Sequence, residues 1–301
     1  RPPGGEDRRR QEPRVAGAGA ADGQRPHRHP GGHLDDRQER VEPGEGPAPA
    51  PWCLLVLGSA GRGESLLAAD QDNALVHAGA PGDDPWFAAF GETIARLLDE
   101  GGIALCKGGV MAANAAWRGT MDAWNDRVGG WLERARPEDI LNVDIFFDLA
   151  PVAGDLGLGR TLHEHAVLQA SRSAPFLGLL AESVAAKVPA VGVFGRLRAE
   201  EEGRIDLKRG GLLPLTGLAR TLALRVGSGA RATPDRLQDA VAAGRLAETD
   251  AQVLAGTQAL LMDLILRQQL ADLGEGRKPG TRVAIKALSR KQARELAGSL
   301  R

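Results

Sequence analysis

The feature that most limits what this chain can fold into is a short apolar run, closed by a glycine turn and followed by two aspartates one residue apart. Trp52-Cys53-Leu54-Leu55-Val56-Leu57 reads as a buried strand stopped by Gly58. Gly58-Ser59-Ala60-Gly61-Arg62-Gly63-Glu64-Ser65 follows, then four residues, then Asp70-Gln71-Asp72 leading into a second apolar strand at Ala74-Leu75-Val76. Residues i and i+2 of a strand share a face, so Asp70 and Asp72 present paired carboxylates to one point. Like charges that close repel unless a cation lies between them. Mg²⁺ suits such a pair, because it takes oxygen ligands, keeps several waters and completes its shell on substrate phosphates.

Two other readings of the glycine turn fail. Gly58 and Gly63 have the spacing of a P-loop and Ser65 stands at its hydroxyl position, but Glu64 occupies the place of the lysine, and a carboxylate there opposes phosphate binding. No Gly-x-Gly-x-x-Gly fingerprint can be laid over Gly58, Gly61 and Gly63. A third carboxylate would complete a two-metal site. Ile140 to Leu149 reads as a central strand with Val143, Ile145 and Phe147 on one face and Asp144, Phe146 and Asp148 on the other, so Asp148 or Asp144 can supply it.

The rest of the chain sets the frame. Residues 1–50 hold nine Arg, nine acids and no Phe, Trp, Ile, Met or Lys, which leaves too little apolar surface for a core. This segment is expected to be a disordered leader or linker, with His27, His29 and His33 as solvated linker histidines. Deleting it should shift the melting temperature by less than about 5 °C. The first residue is Arg1, so a piece with its upstream part missing is expected. Helices are expected over 85–100, around Trp117, Trp124 and Trp131 (a packing seam), and over 162–171, 174–187, 217–225, 235–246 and 251–273. A hairpin is expected between 191–197 and 203–207. A net charge of −1 excludes a uniform basic field for nucleic acid, and the most apolar stretch, 174–195, is broken by Glu182, Lys187 and Pro189, so no membrane span is expected. Two cysteines, Cys53 and Cys106, exclude a disulfide framework and suit a reducing, cytoplasmic setting; both read as structural thiols.

Gly58-Ser59-x-Gly61-Arg62-Gly63-Glu64 with Asp70-x-Asp72 resembles the polymerase-β-type nucleotidyltransferases, and more narrowly the protein-PII uridylyltransferase branch. It is most similar to the nucleotidyltransferases that bacteria carry downstream of cyclic-nucleotide-binding and CBS domains. Those proteins share Asp-Gln-Asp-Asn-Ala, a Cys-x-Gly-Gly-x-Met-Ala segment matching Cys106 to Ala112, and a Phe-Phe-Asp segment matching Phe146 to Asp148. Ile205 to Leu212 is similar to the Leu-Lys-x-Gly-x-Gly-Gly-Leu segment of the uridylyltransferases.

The resemblance covers residues 51–301. It implies an α/β (α+β) nucleotidyltransferase domain with a small mixed sheet over 51–170, then a mainly helical substrate or partner domain over 171–301. It further implies transfer of UMP or AMP from an NTP to a protein or small-molecule acceptor in bacterial signal transduction. Asp70, Asp72 and Asp148 would be catalytic and hold two Mg²⁺ ions, while Gly58, Ser59 and Arg62 would bind the nucleotide. Ala150 stands where the family often has Arg, which leaves open a second reading: a catalytically weak nucleotide-binding regulatory module of a CBS-domain signalling protein.

Overall fold

The computed structural model describes residues 46–134, 136, 140–187, 197–198 and 203–299. Strand β1 (Trp52–Val56) pairs antiparallel with β2 (Asn73–His77) on one side and with β4 (Ala150–Gly154) on the other. The short β3 (Arg118–Thr120) lies parallel to β2, giving a mixed sheet in the order β3-β2-β1-β4.

The two-residue period of β1 divides its side chains between two cores. Cys53 and Leu55 join the main one, whereas Trp52 and Leu54 pack with Leu75, Phe87 and Phe90 on the other side. Helix α2 (Asp84–Glu100) covers that second face through Phe87 and Ala95, while Leu97, expected in its apolar stripe, is exposed. The tryptophan seam is present: Trp117 precedes β3, Trp124 and Trp131 lie on α3 (Met121–Arg134), and all three are buried. Phe146 completes the cluster at 5.2 Å from the Trp124 ring and 5.3 Å from that of Trp131.

The segment read as a central strand differs. Ile140–Phe146 forms helix α4, and the chain passes through a turn at Phe147 and Asp148 before β4 begins at Ala150. Alternating β-branched and aromatic residues favour a strand, but a short apolar run satisfies both periods. Here Val143, Phe146 and Phe147 meet the core together, a helical spacing. Asp144 and Asp148 are therefore not neighbours on a strand face.

Beyond β4 the chain is mainly helical: α5 (Leu156–Arg172), α6 (Ala174–Ala185), α7 (Leu213–Arg225), α8 (Thr233–Ala242), α9 (Glu248–Gly274) and α10 (Arg290–Ser299). Asp155 caps α5 by accepting from the Gly157 amide at 2.9 Å, which starts the helix earlier than its apolar pattern suggests. β5 (Arg204–Asp206) pairs antiparallel with β6 (Arg282–Ala284); the first strand of the expected hairpin lies, over residues 191–196, outside the described residues. Among the described residues no helix is long and apolar enough to cross a membrane.

Candidate active site

Directly after β1 the glycine-rich segment makes one helical turn, α1 (Gly58–Gly61). Gly58 has φ +54°, and a Cβ there would lie 2.8 Å from Asp72 Oδ2. A Cβ on Gly61 would collide with the Asp148 and Val56 carbonyls. Both glycines are thus required by close approach, one to an acid of the pair and one to the backbone beneath the turn. Ser59 faces Ser65 across the turn, hydroxyl to hydroxyl at 3.1 Å.

The segment carrying the paired acids is extended, and its alternation is visible in its bonds. Gln71 and Asn73 turn inward: Gln71 Nε2 donates to the Ala95 and Ile103 carbonyls, and Asn73 Oδ1 accepts from the Ala112 amide. Asp70 and Asp72 take the other face. The same segment anchors its neighbour at two points, since the Gln71 amide donates to Ala104 and the Asn73 amide to Val110. Between those anchors the chain arches and carries Cys106 over the pair. One ligand atom each from Asp70, Asp72 and Cys106 lies within 4.8 Å of the others.

Burial pushes the Asp72 carboxyl up from its ordinary pKa and the Asp70 charge adds to this, against a hydrogen bond with Cys106 and the charges of Lys208 and Arg62. Burial, with Asp72 beside it, also raises the Cys106 thiol. Such a set is close to what a divalent cation needs: donors bonded at about 2.1 Å through oxygen and 2.3 Å through sulfur stand at most about 4.4 Å apart, so small side-chain rotations bring the three onto one ion.

Asp70 of the pair borders a cleft of about 580 Å³, its open mouth included, whose walls also include Ser59, Arg62, Lys208 and Gln269. Lys208 opens a five-residue π-helical turn, Lys208–Leu212, whose first amides are held by Asp206 Oδ1 at 3.1 and 3.0 Å. Gln269 on α9 accepts from the Leu67 amide at 3.0 Å and ties the far wall to the loop after the glycine turn.

Asp148 stands elsewhere in this arrangement. It is fully buried, and its oxygens accept from Arg220 Nε at 3.1 Å, Arg220 Nη2 and Arg236 Nη1 at 2.7 Å each, and Arg62 Nη1. Burial alone would raise its pKa, but the Arg220, Arg236 and Arg62 charges outweigh that and hold it well below the usual carboxylate range. Asp144 is likewise engaged, by Arg220 at 2.9 Å and Lys187 at 3.3 Å. The expected third metal carboxylate is thus the hub of an arginine cluster, and neither acid joins the group formed by Asp70, Asp72 and Cys106.

Arg62, expected to bind nucleotide, reaches the cleft wall with Nε on Glu64 Oε2 at 2.6 Å and Nη1 on Asp148. Glu64 in turn accepts from the Thr233 amide at the start of α8, at 2.7 Å, a carboxylate where the helix dipole favours one. Arg220 and Arg236 escape a reading of the sequence because they lie on remote helices; Cys106, expected as a structural thiol, lies beside the acid pair.

Residues 37–138 match the family model described as "Putative nucleotidyltransferase DUF294", and residues 174–301 match the one described as "Putative nucleotidyltransferase substrate binding domain". No curated protein matches the chain.

Proposed function

We propose, from the matches of residues 37–138 to a nucleotidyltransferase family model and of residues 174–301 to a nucleotidyltransferase substrate-binding model, Mg²⁺-dependent transfer of a nucleotidyl group, UMP or AMP, from an NTP to a hydroxyl of a protein or small-molecule acceptor. The observation that carries this reading is the convergence of Asp70 and Asp72 beside the Gly58-Ser59 turn, with Ser59 and Asp70 lining the cleft. In the reaction an oxygen–phosphorus bond forms between the acceptor hydroxyl and the α-phosphate, the α–β anhydride bond breaks, pyrophosphate leaves and the hydroxyl proton passes to solvent.

Asp70 and Asp72 hold the metal, which supplies neutralisation of the leaving oxygens and a more acidic acceptor hydroxyl. Gly58 and Ser59 offer backbone and hydroxyl donors to the triphosphate, and Lys208 gives the opposite wall a cation. Arg62 acts from behind the turn, fixing it to Asp148 and Glu64. Ala150 is buried in the sheet opposite Val56 and is not among the residues that line the cleft.

The test is a thermal-shift panel of the four NTPs with and without Mg²⁺, followed by mass spectrometry of acceptor proteins and metabolites for an added nucleotide. Mg²⁺-dependent stabilisation by one NTP together with such an adduct is expected. Binding without transfer would favour the regulatory-module reading, and no binding at all would end both.

A further inference from the structure

We propose that Cys106 is the third donor of the Asp70–Asp72 cation site, and that its sulfur shifts the preference of this site from Mg²⁺ toward thiophilic divalent ions of the Zn²⁺ and Co²⁺ class. The inference rests on the reading of the aspartate pair as a cation site. Backbone geometry places the thiol there. The arch is pinned at Ala104 and Val110 to the strand that bears the two acids, and it is closed inside by the Gly109 amide donating to the Cys106 carbonyl at 3.0 Å. Gly109 sits at φ +69°, a conformation that L side chains rarely adopt, so a glycine at the bend holds the arch in shape.

The hard alternatives are occupied. Asp148 is surrounded by three guanidinium groups and Asp144 by Arg220 and Lys187. Among the described residues, the side chain that joins both carboxylates within 4.8 Å is therefore a thiol. Mg²⁺ demands oxygen ligands in near-octahedral array, whereas thiolate selects softer ions. On coordination a sulfur–metal bond forms and the thiol proton passes to solvent, with no change of oxidation state. Two carboxylates remain able to hold Mg²⁺ that arrives with a triphosphate, so the site accepts both classes of ion but ranks them differently from an all-oxygen triad.

The experiment titrates the full chain with Co²⁺ in a thiol-free reductant and follows the near-ultraviolet sulfur-to-cobalt charge-transfer absorption. Histidines in the first fifty residues do not produce this band, and Cys53, wholly buried in the sheet, remains in every variant. The wild type is expected to develop the band, and Cys106→Ser to lose it. Loss of even an outer-shell partner weakens metal sites about 10–100-fold, so the ratio of Co²⁺ to Mg²⁺ affinity should fall at least tenfold in Cys106→Ser. It should fall further in Cys106→Asp, which restores an oxygen triad.

A wild-type spectrum without the band overturns the proposal whatever the variants do, and so does a ratio unchanged in both variants. If the band is missing while Mg²⁺-dependent NTP binding persists and is lost in Asp72→Asn, the thiol assignment alone falls. If the wild type answers to no divalent ion, the cation site falls with it.

Discussion

Asp148→Asn is expected to destabilise the protein by about 3–5 kcal/mol, the range for removing one partner of a buried ion pair, and to lower the melting temperature on the order of 10 °C. The side chain keeps its shape but loses its charge, and its amide nitrogen then faces guanidinium donors. Arg220, itself buried, is left with Asp144 as its carboxylate partner, and Arg236, also buried, with the carbonyls of Ala230 and Phe147. The measurement is thermal or denaturant unfolding without divalent ions. That condition decides between roles: a metal ligand substituted by Asn would leave the ion-free protein level or more stable, whereas the hub of an arginine cluster cannot be neutralised without loss.

The pH dependence follows in sign. The folded pKa of Asp148 is depressed, so its contribution is complete above the ordinary aspartate pKa of about 4 and fades as pH falls below it. The wild type should therefore shed stability on acidification below about pH 4, and the Asn variant should lack that share of the decline.

The aspartate pair should behave in the opposite way. Asp70→Asn and Asp72→Asn are each expected to lower the rate of nucleotidyl transfer at least about a hundredfold, because each removes several kcal/mol of stabilisation that grows as charge builds on the transferring phosphate. Without metal, Asp72→Asn should melt at the same temperature as wild type or higher, since burial and the Asp70 charge both disfavour the ionised carboxylate. Its folded pKa is raised, so wild type loses this share of stability as pH rises from the ordinary carboxylate pKa through the folded one, and the Asn variant does not.

With Mg²⁺ and NTP the order reverses. A ligand at a hundred times its Kd adds about 2.7 kcal/mol to the wild type, and that gain should shrink in both variants. Equal gains in wild type and variants would mean that the carboxylates do not meet the ligand.

What could be seen from the sequence depended on how far apart the participating residues lie. Trp52 to Val56, the Gly58 turn and the Asp70–Asp72 pair are one contiguous passage, so strand, turn and acids announce one another. The helices of the second half were visible through their apolar spacing, even where caps such as Asp155 moved their ends. Residues 140–146 were misread because Val143, Ile145 and Phe147 alternate like a strand while Val143, Phe146 and Phe147 pack like a helix, and tertiary burial decided. The partners of Asp148 were beyond reach: Arg220 and Arg236 lie 72 and 88 positions away, each an ordinary arginine on its own helix. Cys106 was closer to legible, but only the two-point pinning of its arch shows that the thiol overlooks the acids.

The cluster around Asp148 also bears on how this chain can be divided. Arg62 comes from the glycine turn, Asp148 from the approach to β4, and Arg220 and Arg236 from α7 and α8, so the charge balance of the first half is completed by the second. Leu224 of α7 enters the same core as β1, and the Thr233 amide of α8 donates to the Glu64 carboxylate. Cutting between sheet and helices would leave Asp148 with Arg62 as its one guanidinium partner and strip Arg220 and Arg236 of that carboxylate. The two parts thus share one buried charge cluster, and separating them is expected to lower the stability of each, which denaturant unfolding of the fragments beside the full chain would measure.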